Sequence, residues 1–283
     1  MHKVFLFPNP KRDKDFVLTV ETIRLIAESG LEPVISDTVG LNCDGLAHMP
    51  FDEGVRSADM IICIGGDGTI LRIAETAAKE DKPILGINAG KLGFLAELER
   101  DELFRLKSIL KGSFSIDHRS MLDVRLQRNG ETIFKGTALN DAVVKNLDGP
   151  RVMSLDFWVG SHFIATISGD GIIASTPTGS SAYSLSAGGP LVEPKADLIL
   201  VTPICAHSLH AKSFVLSGDS VVKFQNTNAE VNAKLTVDGV TYNDTAMLPG
   251  DTVVVSKSRL CCKLVRSKNH GFYDIVRNKL IPK

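Results

Sequence analysis

Two short stretches of this chain hold reactive residue types at spacings that core packing does not ask for. The longer is Gly169-Asp170-Gly171-Ile172-Ile173-Ala174-Ser175-Thr176-Pro177-Thr178-Gly179-Ser180-Ser181-Ala182-Tyr183-Ser184. An acid sits between two glycines, an apolar run follows, and a hydroxyl-rich turn with Pro and Gly leads to an aromatic. A core strand has no use for so many small hydroxylated residues, and a solvent loop has no use for Ile-Ile-Ala. The combination fits a strand that ends at a ligand, with a tight turn whose backbone N–H groups and hydroxyls face a partner rich in acceptors. The shorter stretch, Gly65-Gly66-Asp67-Gly68-Thr69, lies between an apolar run and a helical pattern. Its glycines let backbone N–H groups approach phosphate oxygens, and the following helix adds its positive end. An Asp in such a turn repels the anion, so it suits a general base or an indirect metal partner. The plainer alternative is an Asp that stabilises a turn. Together the two stretches suggest a site for a nucleotide and a second polar substrate.

Other candidates are weaker taken singly. Asn88-Ala89-Gly90-Lys91-Leu92-Gly93-Phe94-Leu95 follows an apolar run, and its glycines either bring backbone to a ligand or turn the chain. Asn140-Asp141 opens another apolar run; an amide beside a carboxylate can bind ribose hydroxyls or an adenine edge, and also makes an ordinary turn. Arg72 and Lys91 are cations available to phosphate. Neither a GxxxxGK[ST] loop nor a GxGxxG after a strand occurs at the glycine turn.

The elements that must position these residues change character along the chain. Up to about residue 112, apolar runs at Val4-Phe5-Leu6-Phe7, Glu32-Pro33-Val34-Ile35, Met60-Ile61-Ile62-Cys63-Ile64 and Pro83-Ile84-Leu85-Gly86-Ile87 alternate with helical spacing. That rhythm predicts a parallel sheet in a Rossmann-like α/β domain over residues 1–112. From residue 113 onward, alternating runs separated by turns such as Asn129-Gly130 and Gly160-Ser161 predict an all-β, sandwich-like domain over 113–283. About 25 C-terminal residues are expected to pack back on the first domain. The 283 residues agree with two domains, and 43% hydrophobic with 23% charged residues is ordinary for a globular protein. A net charge of −1 gives no basis for nucleic-acid binding, so any phosphate must be met locally. No apolar run is long enough to span a membrane, and the N-terminal run is too short for a signal peptide. Five cysteines with no CxxC pair point to reduced thiols in a cytoplasmic setting.

The blocks at 65–69, 88–95, Arg119-Ser120-Met121-Leu122, Leu139-Asn140-Asp141 and 170–190 stand in one order, and in that order the chain resembles the NAD kinase family. The glycine turn alone is shared with diacylglycerol and sphingoid lipid kinases and phosphofructokinases; the long second block is far more specific. The resemblance implies ATP-dependent phosphorylation of the adenosine-ribose 2′-hydroxyl of NAD, giving NADP, with a divalent cation such as Mg²⁺. By family position Asp67 is the proton acceptor, within a phosphate loop of Gly65, Gly66, Gly68 and Thr69. Asn140, Asp141, Asp170, Ser181, Ala182, Tyr183, Ser184, Leu185 and Ser186 line the NAD pocket. Arg72, Arg151, Ser168 and Thr178 match further substrate-contacting positions, no metal ligands are assigned, and a homo-oligomer (dimer or tetramer) is implied.

The chain departs from the family at four places. Asp141 stands where Glu is common, Ser168 where Arg is frequent, and Val240 where Gln is. The segment His207-Ser208-Leu209-His210-Ala211-Lys212-Ser213 loses an Arg and a Pro. A small neutral residue at 168 implies that NADH is accepted along with NAD⁺. The alternatives are a lipid kinase, which needs an apolar acceptor pocket, and a non-catalytic dinucleotide sensor, which has no need of Asp67.

Overall fold

Apolar runs without polar alternation form strands covered on both faces, and such runs build the first part of this computed structural model. In chain order they are β1 (Lys3–Pro8), α1 (Val17–Glu28), β2 (Glu32–Ser36), β3 (Ala47–Met49), α2 (Phe51–Ser57), β4 (Met60–Gly65), α3 (Asp67–Lys79), β5 (Pro83–Asn88) and α4 (Leu106–Leu110). The strands are parallel, in the order β5-β4-β1-β2-β3. From β1 the chain adds β2 and β3 on one side, then crosses to the other for β4 and β5. The reversal therefore falls between β1 and β4, where open α/β sheets bind ligands beyond the strand ends. Helix α1 stops at Gly30, whose φ of 76° suits glycine. Val4, Leu6, Ile26, Ile62, Leu85 and Ile109 belong to one core. Neither β3 nor α2 stood out in the sequence; both are too short for a periodic signal.

The structure describes residues 1–90, 93–147, 152–208, 211–228, 231–267 and 272–280. The chain divides into two units, Met1–His118 with Cys261–Lys283, and Arg119–Leu260. The second part adds β6 (Ser115–Arg128), β7 (Glu131–Ala138), β8 (Asp141–Asn146), β9 (Met153–Val159), β10 (His162–Gly169), β11 (Gly171–Ser175), α5 (Tyr183–Ser186), β12 (Leu198–Ile204), β13 (Phe214–Ser217), β14 (Val222–Asn226), β15 (Ala233–Val237), β16 (Val240–Met247), β17 (Thr252–Arg266) and α6 (Phe272–Leu280). Asn129 and Gly130, with φ of 51° and 83°, join β6 to β7 in the expected left-handed turn. Asp238 and Gly239 make a second such turn, with φ of 49° and 75°.

Within the second unit β10-β9-β14-β17 and β13-β12-β11-β8-β15-β16 are antiparallel runs. Leu155, Phe157, Phe224 and Val253 of the first share a core with Val144, Ala174, Val201 and Leu235 of the second, which makes a sandwich. Val143, Ile173 and Ile204 point from the opposite face and pack against Tyr183 and Ala187. Strand β11 is thus covered on both faces, which is why Ile-Ile-Ala does not alternate. Cys261 and Cys262 are successive residues of β17, one half-buried and one buried, and all five cysteines are free thiols. Among the described residues no helix is long and apolar enough to cross a membrane.

Candidate active site

Strand β4 delivers the glycine turn to the carboxyl edge of the parallel sheet, and α3 begins on Asp67. The Asp67 carboxylate accepts the Phe94 N–H at 2.7 Å on one oxygen and the Leu95 N–H at 3.1 Å on the other. A Cβ on Gly93 would collide with that carboxylate, so the 93–95 segment lies directly against it. Gly65 is closed in by Thr69, whose hydroxyl accepts the Gly66 N–H at 3.4 Å and the Asn9 side-chain amide at 3.2 Å. Gly66 and Gly68 are different: a Cβ on either would meet nothing within 4 Å, and neither has a positive φ. Neither packing nor conformation demands glycine there, and the backbone of the turn is open at both positions. Arg72 is exposed, with its guanidinium 5.8 Å from the centre of the Phe7 ring. Asn88 bonds Glu99 at 2.8 Å and accepts the Gly90 N–H. Lys91 lies outside the described residues.

In the second unit the turn at 139–141 and the block at 175–187 are held together. The Asp238 carboxylate accepts three successive N–H groups, from Leu139 and Asn140 at 2.7 Å and Asp141 at 3.1 Å. Thr176 donates its N–H to the Asn140 carbonyl at 2.9 Å and its hydroxyl to that of Leu139 at 2.6 Å. Gly179 packs so closely on the Asn140 carbonyl that any side chain would collide. Asp141 is 5% exposed at the start of β8. Burial, and then the charge of Asp238, push its pKa up to about 7.

The hydroxyls of this turn also donate within the protein, which leaves their acceptor lone pairs. Ser175 donates to the Thr176 carbonyl, Ser180 to that of Pro177, Ser181 to that of Thr178, and Ser184 pairs with Thr202. They fix the turn, because a buried hydroxyl without a partner is costly. Tyr183 is half-buried on Val143, Ile173 and Ile204, with the Lys145 ammonium 5.6 Å from its ring centre. Thr178 is buried and accepts from Arg119 at 3.3 Å. Ala182 and Leu185 are half-buried and Ser186 is exposed.

Asp170 is exposed between β10 and β11; its backbone bonds Ile204 and Asn146, and its carboxylate has no partner among the described residues. Ser168 shares a hydrogen bond of 3.1 Å with Ser154. Arg151 lies outside the described residues. Among those residues no three His, Cys, Asp or Glu side chains gather to hold a metal ion. Asp238 was missed as a site residue although Asp-Gly between apolar runs is a strong hairpin signature.

Comparison with known proteins follows the same division. Profiles of the ATP-NAD kinase N-terminal and C-terminal domains match residues 51–114 and 139–267. The NAD kinase of Acetivibrio thermocellus is 37% identical over 283 residues, 99% of this chain and 97% of that one. The NAD kinase of Caldanaerobacter subterraneus subsp. tengcongensis is 36% identical over 287 residues, 99% of each. Among solved structures, yeast NADH kinase complexed with NADH superposes with a TM-score of 0.88 at 25% identity, covering 99% of this chain and 87% of that one. An NAD kinase from Archaeoglobus fulgidus in complex with ATP shares the fold, with a TM-score of 0.72 at 23% identity over 99% and 97% of the chains.

Proposed function

This chain belongs to the NAD kinase family, and from that premise we infer that it phosphorylates NAD with ATP, at the adenosine-ribose 2′-hydroxyl, to give NADP. In the transfer the ribose oxygen bonds to the γ-phosphorus, the bond from that phosphorus to the leaving ADP oxygen breaks, and the hydroxyl proton goes to Asp67. The observation that carries this role is the single carboxylate of an otherwise open glycine turn, oriented by two backbone N–H groups. A carboxylate has lone pairs for a further donor beyond those two, so the same contacts that aim it leave room for the hydroxyl. Gly66 and Gly68 would offer N–H groups to the transferring phosphate, with the α3 terminus adding its dipole.

The NAD-binding role falls to Asn140, Asp141, Asp170 and the segment 181–186. An exposed carboxylate at 170, a buried one at 141 and the face of Tyr183 can take hydroxyls and a flat base. Ser168 is neutral where relatives often carry Arg, so that position adds no charge to set NAD⁺ apart from NADH, and NADH is a second acceptor in this reading. Mg²⁺ fits this site as an ion carried mainly by the donor's phosphates, which supply the hard oxygen ligands it prefers. When bound it neutralises charge on those phosphates. Self-association into a dimer or tetramer belongs to the same reading, and light scattering checks it.

The deciding experiment is NADP formation from NAD by the purified chain, with ATP and other donors, with and without Mg²⁺. Binding of NAD with no turnover on any donor would replace this reading by a sensor; turnover of diacylglycerol instead would make it a lipid kinase.

A further inference from the structure

The loop after β1 places Lys11, Arg12 and Lys14 within four positions, and Arg100 opens the helical turn after the 93–98 segment. All four are exposed. None has an ion pair or side-chain hydrogen bond among the described residues. Arg12, Lys14 and Arg100 line one cleft of about 190 Å³ together with Ala89. Arg12 reaches across it, its Nη1 lying 3.8 Å from where a Cβ on Gly90 would stand.

One carboxylate, Asp13, also lines this cleft. It is 5% exposed and caps α1, accepting the Leu18 N–H at 3.0 Å, the Thr19 N–H at 2.8 Å and the Thr19 hydroxyl at 2.6 Å. Its charge is therefore turned to the helix, and the cleft is left with a cationic rim. Asp15 and Phe16 follow with φ of 56° and 54°, a left-handed pair that L residues adopt only when the surroundings hold them there. The loop is also tied to the glycine turn. Asn9 donates its N–H to the Ile64 carbonyl at 2.8 Å and its amide to Thr69 at 3.2 Å, while the Ala89 N–H reaches the Gly65 carbonyl at 2.7 Å. The cleft thus stands at the carboxyl ends of the sheet beside the β1–β4 reversal, where such sheets take their ligands.

We propose that this cleft is an anion site for the polyphosphate tail of the phosphoryl donor, with Arg12, Lys14 and Arg100 as its cations. The proposal rests on the kinase reading above and extends it to residues outside the glycine turn. A triphosphate brings several negative charges to a turn whose own side chain, Asp67, is also negative. Backbone N–H groups, one Mg²⁺ and Arg72 offset only part of that charge, and the chain has no net positive charge to add. Unpaired guanidinium groups suit the task, because they grip phosphate oxygens in bidentate fashion.

The test uses the full chain and the triple variant Arg12→Gln, Lys14→Gln, Arg100→Gln. KM is measured for ATP and for NAD, and inorganic tripolyphosphate is titrated by calorimetry. The expected result is a KM for ATP raised at least about tenfold, a KM for NAD within about twofold, and tripolyphosphate binding weakened in parallel. An unchanged KM for ATP in a variant that still makes NADP overturns the site and leaves the kinase reading standing. A wild-type chain that makes no NADP, yet binds tripolyphosphate through these cations, does the reverse. Should the triple variant lose its melting transition, Arg100→Gln alone decides: a several-fold rise in KM for ATP supports the site and no rise overturns it.

Discussion

Asp67 sits between two demands: it must be held still, and it must keep a lone pair for the substrate. The Phe94 and Leu95 N–H groups meet the first. Asp67→Asn is expected to keep the fold and dinucleotide affinity while lowering kcat by about 10²–10⁴; near wild-type turnover would remove Asp67 from the role of base. Gly93→Ala tests the same geometry from the other side. No positive φ forbids Ala there, but its Cβ would push on the carboxylate. A drop in kcat with little change in melting temperature is expected, and normal turnover would show that the position of the carboxylate does not matter. Asp141 makes a prediction about pH. Its folded pKa of about 7 lies above the value of about 3.9 for an unfolded Asp. The stability tied to its protonated form is complete below about pH 4 and is lost as pH rises through about 7. The wild type should lose more melting temperature between pH 5 and pH 8 than Asp141→Asn does. Parallel Tm–pH curves would sink this assignment.

At the scale of elements, the 93–98 segment is anchored by the end of β17. Glu97, 7% exposed, accepts the Ser267 N–H at 2.8 Å and its hydroxyl at 3.0 Å. Arg266 donates to the Leu95 carbonyl at 3.0 Å and pairs with Glu97 at 3.4 Å and Asp117 at 3.3 Å. Arg266→Met takes one guanidinium from two carboxylates and a carbonyl, at a cost of about 3 kcal/mol for a largely buried pair. Because the same segment holds Asp67, kcat should fall as well, with Arg266→Lys recovering part of it. A lower Tm with unchanged kcat would confine Arg266 to stability. Such links explain what the sequence could and could not tell. Strands β1, β4 and β5 announce themselves by unbroken apolar runs, and the β6–β7 hairpin by Asn129-Gly130. Asp67 and its partners are 27 and 28 residues apart, and Asp238 acts on Asp141 across 97; no local spacing records that. The hydroxyls of the 175–184 block were legible as groups, but not the carbonyls that bind them.

At the scale of the whole molecule, the first unit is made of two separated pieces of chain, 1–118 and 261–283. The later piece is structural there. Lys263 and Leu264 run parallel to Pro83 and Ile84 of β5, Val265 enters the core with Leu98 and Ile109, and Arg266 and Ser267 meet buried Glu97. A fragment of residues 1–118 would expose the β5 edge and deprive Glu97 of those partners, both unfavourable. The second unit, 119–260, is continuous and keeps its sandwich core. The expected outcome is that 119–260 melts cooperatively on its own, while 1–118 aggregates or melts without a transition. Joining 261–283 to residue 1 of that fragment by a flexible linker should restore a cooperative melt, because it returns the missing strand and the Glu97 partners. Circular dichroism melts of the three polypeptides check this. A cooperative transition for 1–118 alone, at the temperature of the full chain, would mean that the β17 end is not needed to complete the first unit.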